Sequence, residues 1–127
     1  MRIIGLGTDI VEIARIERSI TQLGEPFLAR VFTAEERAYC GHLRTAAACY
    51  AARFAVKEAV AKALGTGIGE QLAWLEITVQ REPSGRPRVV LSGVGAKTAA
   101  ALGVAEIHIS LSHSEHYAVA QAIACGA

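Results

Sequence analysis

A chain of 127 residues, 52% of them apolar, can bury one hydrophobic core, and in so short a chain part of that apolar surface is expected to be covered by further copies in an oligomer. A formal net charge of +1 gives no general field for nucleic acid or an anionic membrane, and the longest apolar run, residues 46–52, stops at Arg53, far short of a bilayer span. Cys40, Cys49 and Cys125 form no C-x-x-C pair and read as buried reduced thiols, while Asp9 and Glu12 arrive too early for a secretory core, so a cytoplasmic protein is expected.

Ile3 to Val11 is rich in β-branched residues and interrupted by Gly5 and Gly7, which predicts a strand whose glycines admit close approach of another backbone. Asp9 falls near its end. From Ile10 the period changes, and Ile10, Ile13, Ile16, Ile20 and Leu23 mark one face of a helix ending by Gly24, with Arg15 and Arg18 on its polar side. Pro26 opens a short helical segment through Phe32, and Thr33 with Glu36 has capping-box spacing for a helix to about Leu43.

Thr45 is the expected cap of a long helix that ends at Gly65, where Gly65-Thr66-Gly67-Ile68-Gly69 forms an exit loop. That loop follows a helix and no Lys-Ser or Lys-Thr pair closes it, which excludes a P-loop. Leu75, Ile77 and Val79 alternate with polar residues, predicting a strand that turns through residues 83–87 and returns over residues 88–91. A helix over residues 93–102 follows, then strands over 106–112 and 117–124 joined by Ser114-Glu115-His116. The order predicts an α+β fold, a single domain over 1–127 with a mostly antiparallel sheet packed against a long central helix.

Within the long helix, Val56, Ala59, Val60, Ala63 and Leu64 form one apolar stripe, and Arg53, Lys57, Glu58 and Lys62 fall outside it. Glu58 and Lys62 at i, i+4 read either as an ordinary surface pair or as a carboxylate and an ammonium kept for chemistry. Asp9 reads either as a helix cap or as a ligand; brought against Glu58 it would give two hard oxygens, suited to Mg²⁺ with substrate phosphates completing the shell. His113 shares the alternation phase of Ile107, Ile109 and Leu111, so a core or interface histidine competes with a functional one. His42, His108 and His116 show no metal-ligand spacing, and the aromatic residues, 6% of the chain, read as packing residues.

Three separated pieces, Gly7-Thr8-Asp9-Ile10-Val11, Arg53-Phe54-Ala55-Val56-Lys57-Glu58-Ala59-Val60-Ala61-Lys62-Ala63-Leu64-Gly65 and Ser112-His113-Ser114, together resemble the holo-[acyl-carrier-protein] synthase family. The likeness extends to Gly65-Thr66-Gly67-Ile68-Gly69 and Gly85-Arg86-Pro87 and covers essentially the whole chain. It implies the 4'-phosphopantetheinyl transferase fold and a homotrimer with coenzyme A sites between adjacent subunits. The implied reaction is Mg²⁺-dependent transfer of 4'-phosphopantetheine from coenzyme A to a serine of apo acyl carrier protein, releasing adenosine 3',5'-bisphosphate, in support of fatty acid biosynthesis.

By the same resemblance, Asp9 and Glu58 hold Mg²⁺, Lys62 neutralises the leaving phosphate, and Glu58, directly or through water, accepts the serine proton. Arg53 and His113 contact coenzyme A phosphates, and Arg86 and Pro87 lie near the nucleotide end. Arg15 and Arg18 dock the acidic carrier, although Glu12 and Glu17 on the same segment dilute the positive field. Two other readings compete: a noncatalytic oligomeric module that binds coenzyme A or carrier protein, and a Mg²⁺-dependent phosphodiesterase that uses the same carboxylates on water.

Overall fold

The computed structural model describes residues 1–127 and converges on one helix, α4 (Ala46–Leu64). Nine of its 19 residues are alanine, the strongest helix former, and 14 are buried, so packing surrounds it on nearly every side. It ends at Gly65, whose left-handed backbone (φ 76°), strained for a residue with a Cβ, lets its N–H donate the closing hydrogen bonds to the Ala61 and Lys62 carbonyls. Thr45 precedes it without capping it through its side chain, contrary to the sequence expectation.

Against one side of α4 lies a three-stranded antiparallel sheet in the order β1 (Arg2–Glu12), β5 (Tyr117–Gly126), β4 (Glu106–His113). A Cβ on Gly5 would collide with the Ala63 carbonyl, and one on Gly7 with the Ala59 carbonyl, so the two glycines let helix and strand backbones touch. The inner face of β5 continues this surface of small residues with Ala118, Ala120, Ala122 and Ala124, all fully buried. The outer face is apolar yet open: Ile3, Leu6 and Ile10 are exposed on β1, beside half-buried Ile123 and Val119 in register with Leu6 and Ile10.

The other side of α4 is closed by α1 (Ile13–Leu23), α2 (Glu25–Val31), α3 (Ala34–Cys40) and the hairpin β2 (Ile77–Arg81) with β3 (Pro87–Leu91). A further helix, α5 (Gly93–Ala101), leads into β4. One contiguous core of 25 buried residues runs through these layers, and the architecture is the α+β arrangement expected. No helix is long and apolar enough to cross a membrane.

Several local expectations are corrected. Ile10 shares the helical period but remains in β1, because pairing with Val119 of β5 extends the strand to Glu12 before α1 begins. Leu75 lies in a 3-10 turn, Trp74–Glu76, ahead of β2, and α3 stops at Cys40 rather than at Leu43. The cysteines differ most: Cys40 and Cys49 are joined in a disulfide because the connection between α3 and α4 doubles back and brings their Cα atoms to 5.6 Å. Only Cys125 is a free buried thiol.

Candidate active site

Strand alternation turns Leu6, Thr8 and Ile10 outward and Asp9 toward α4, three residues ahead of the residue that caps α1. Asp9 is therefore a strand residue and not a helix cap. Its carboxylate, largely covered, meets the Lys62 ammonium at 3.2 Å, and the same ammonium donates to the Thr8 carbonyl at 2.9 Å. The i, i+4 surface pair between Glu58 and Lys62 does not form, since Lys62 reaches across to β1 instead.

Glu58 lies one turn before Lys62. Burial pushes its carboxyl above the ordinary range, the Asp9 charge pushes it further, and Lys62 and then Arg15 pull it partly back. Two carboxylates and an ammonium thus share one small region, with a guanidinium at its margin. No cluster of three or more Asp, Glu, His or Cys side chains exists, so the protein itself would supply a hard cation with two carboxylates and leave its remaining positions to water or substrate oxygens. That donor set fits Mg²⁺, whose charge would relieve the repulsion between Asp9 and Glu58.

Arg53 and Lys57, which fall outside the apolar stripe of α4, are 3% and 0% exposed. Lys57 is anchored by a 2.8 Å pair with Glu36 and by donation to the carbonyls of Val31, Trp74 and Ile77 at 2.8 to 3.0 Å. Glu36 closes the capping box with Thr33 as its spacing predicts, and its second oxygen accepts from the Val79 amide at 2.8 Å. Every polar group of this interior pair is satisfied, which offsets the cost of burying it. Sequence spacing gave Glu36 only its capping role, because nothing local marks a partner 21 positions away.

Arg53 is less complete. Its Nη1 donates to Cys49 Sγ at 3.2 Å, and the Tyr39 ring faces its guanidinium carbon at 4.6 Å, but its buried Nε has no partner. It lines a cavity of about 100 Å³ with Tyr39, Thr45, Arg81 and His113, where the two guanidinium groups suit an anion. His113 is exposed at the end of β4, where its Nδ1 lies 3.4 Å from the Ser114 carbonyl, so the core-histidine alternative is corrected. It also borders the largest cavity, about 550 Å³, between α1, the start of α4 and the turn from β4 to β5.

Arg86 and Pro87 stand apart from this group, in a polar cavity of about 230 Å³ with Arg88, Glu106 and His108. None of these cavities contains Asp9, Glu58 or Lys62, which lie on more open surface of the single chain. Arg15 and Arg18 are exposed on α1. Tyr39 and Tyr117 are exposed as well, contrary to a packing role, whereas Phe27, Phe32 and Tyr50 form a chain of ring contacts and Phe54 stacks on Trp74. Arg81 and Tyr39 are site residues that sequence reasoning missed, since they meet Arg53 only through the hairpin and α3.

Residues 5–122 match the model of the 4'-phosphopantetheinyl transferase superfamily. The chain is 47% identical over 121 residues to the holo-[acyl-carrier-protein] synthase of Koribacter versatilis (strain Ellin345), covering 95% of this chain and 97% of that protein. It is 46% identical to the namesake from Vibrio parahaemolyticus over 97% of this chain and 98% of that one. Among solved structures, the holo-[acyl-carrier-protein] synthase of Neisseria meningitidis superposes with a TM-score of 0.91 at 32% identity, covering 97% of this chain and 98% of that chain. That of Helicobacter pylori, solved in complex with coenzyme A, gives 0.84 at 32% identity over 94% of this chain and 99% of that chain. The antiparallel sheet packed on a central helix agrees with these matches, and the chain belongs to the 4'-phosphopantetheinyl transferase superfamily, among the holo-[acyl-carrier-protein] synthases.

Proposed function

We propose that this chain, as one domain over 1–127, transfers 4'-phosphopantetheine from coenzyme A to a serine of apo acyl carrier protein, releasing adenosine 3',5'-bisphosphate. It works with Mg²⁺, as a homotrimer in the cytoplasm, in support of fatty acid biosynthesis. The observation that carries the reading is the electrostatics of Glu58: a carboxylate raised by burial and by Asp9, with Lys62 bound to that same Asp9. Asp9 and Glu58 would hold the metal, which supplies positive charge beside the diphosphate when bound.

The carrier serine oxygen forms a bond to the β-phosphorus as the bond from that phosphorus to the bridging oxygen breaks. Glu58, directly or through a water, takes the serine proton. Lys62 stands ready to stabilise the charge that appears on the departing α-phosphate. Arg53 and His113 hold coenzyme A phosphates, and Arg15 and Arg18 dock the acidic carrier. The separate position of Arg86 and Pro87 is accommodated if these residues of a neighbouring subunit contact the nucleotide end of coenzyme A, and the open apolar face formed by Leu6, Ile10 and Val119 is the surface such neighbours would cover.

Incubation with coenzyme A, Mg²⁺ and an apo carrier, followed by intact mass measurement of the carrier, tests the reading. Phosphopantetheinylated carrier is expected. Unmodified carrier with intact coenzyme A would mean a binding module, and unmodified carrier with hydrolysed coenzyme A a diesterase; either contradicts transfer.

A further inference from the structure

The disulfide between Cys40 and Cys49 lies against the buried guanidinium of Arg53, and no step of transfer uses it. Cys40 closes α3, Cys49 lies in the opening turn of α4, and their bond ties off the connection that carries Leu43, Arg44 and Thr45. Cys40 is fully enclosed, whereas Cys49, 8% exposed, lines the cavity shared by Arg53, Thr45, Arg81 and His113. Arg53 Nη1 donates to Cys49 Sγ at 3.2 Å, so whatever charge that sulfur carries acts directly on the guanidinium.

A disulfide sulfur is neutral and a weak acceptor, which leaves the charge of Arg53 and its unpartnered Nε to an incoming anion. A thiol beside a guanidinium in the opening turn of a helix shifts toward thiolate, the more so with Arg81 on the same cavity. That thiolate would pair with Arg53 and compete with a phosphate. Reduction also releases the connection that walls the cavity through Leu43 and Thr45, which removes preorganisation. Both effects have the same sign.

We propose that Cys40 and Cys49 form a reversible thiol–disulfide site that sets the affinity for coenzyme A, the oxidised pair being the tighter-binding state. The inference rests on the assignment of Arg53 and His113 to coenzyme A phosphates. Closure needs a two-electron acceptor, and a small disulfide such as glutathione disulfide supplies it. The Cys49 thiolate attacks one glutathione sulfur, forming a mixed disulfide and releasing one glutathione thiolate; the Cys40 thiolate then attacks the Cys49 sulfur and expels the second. The two cysteine sulfurs are oxidised, the two glutathione sulfurs are reduced, and the cysteine protons end on glutathione. Coenzyme A bound over the cavity would cover Cys49 and so slow reduction sterically, while linkage would shift the equilibrium toward the disulfide.

The test compares protein treated with glutathione disulfide against protein treated with a phosphine reductant. Thiols are counted by alkylation in denaturant and intact mass, and KM for coenzyme A, KM for carrier and kcat are measured in each state. One alkylated thiol, Cys125, is expected after oxidation and three after reduction. Reduction is expected to raise KM for coenzyme A by about three- to tenfold, with KM for carrier and kcat little changed. The Cys40→Ser variant should hold the reduced-state KM whatever the treatment, and coenzyme A should slow loss of the disulfide in wild type.

Three alkylated thiols after oxidation, or equal KM for coenzyme A in the two states with transfer intact, would overturn the proposal while leaving the transferase reading standing. Absence of transfer in both states would instead defeat that reading. Calorimetry with adenosine 3',5'-bisphosphate then decides the inference by itself, equal affinities in the two states overturning it and tighter binding by the oxidised protein supporting it.

Discussion

Arg15 and Arg18 lie three residues apart on α1, both exposed, yet they differ in their relation to Glu58. The charge of Arg15 helps pull the Glu58 carboxyl back toward its ordinary range, and Arg18 is not among the leading charges acting on it. Reversing Arg18 to Glu is therefore expected to raise KM for the acidic carrier by about tenfold with kcat unchanged. Reversing Arg15 should raise the same KM and also lower kcat, because a negative charge there pushes Glu58 further toward its protonated form. Steady-state kinetics with the carrier varied separates the two; identical effects of both reversals on KM and kcat would contradict this geometry. The roles proposed for Asp9 and Glu58 rest on motif resemblance, since in the sequence Asp9 alone fits a cap and Glu58 with Lys62 alone fits a surface pair. What the sequence could not show is that Lys62 bonds to Asp9, a contact across 53 positions that exists only once α4 is laid on β1.

At the scale of elements, α4 is placed by two devices, one of them small and one charged. Gly5 and Gly7 let β1 touch the helix at the Ala63 and Ala59 carbonyls, one turn apart and each one residue beyond Lys62 and Glu58. Gly7→Ala forces backbone to move against backbone, and thermal or denaturant unfolding should record a loss of about 3 kcal/mol or more. The strand glycines announced this close approach in the sequence. On the opposite side, Lys57 locks α4 to α2, α3 and β2 through Glu36 and three carbonyls. Lys57→Met should cost about 3 to 5 kcal/mol by leaving Glu36 buried and unpaired. Adding Glu36→Gln should recover part of that loss, so a double-mutant cycle should give a coupling of at least about 1 kcal/mol, and additive losses would contradict the pairing. This pair was not legible: at 100° per residue Lys57 leaves the apolar stripe, and only the wrapping of α4 on both sides explains its burial.

For the whole molecule, the order of strands, helices and hairpins was legible from periodicity, since the two hairpins and the helical block announce themselves by spacing and turn residues. The disulfide was not, because cysteine parity says nothing about a connection that doubles back between α3 and α4. Nor does one chain enclose the site: Asp9, Glu58 and Lys62, then Arg53 with His113, then Arg86 with Pro87 form three separate stations on its surface. Apolar composition hinted at burial between copies without saying which face, and the open apolar face of β1 and β5 is the one left to be covered. The proposed transfer nonetheless requires two carboxylates to share one divalent ion against a diphosphate. Calorimetric titration of coenzyme A with and without Mg²⁺, in wild type, Asp9→Asn and Glu58→Gln, tests that most directly. Mg²⁺ is expected to tighten coenzyme A binding by about tenfold or more in wild type and to have no effect in either variant; the same Mg²⁺ enhancement in all three proteins would contradict it.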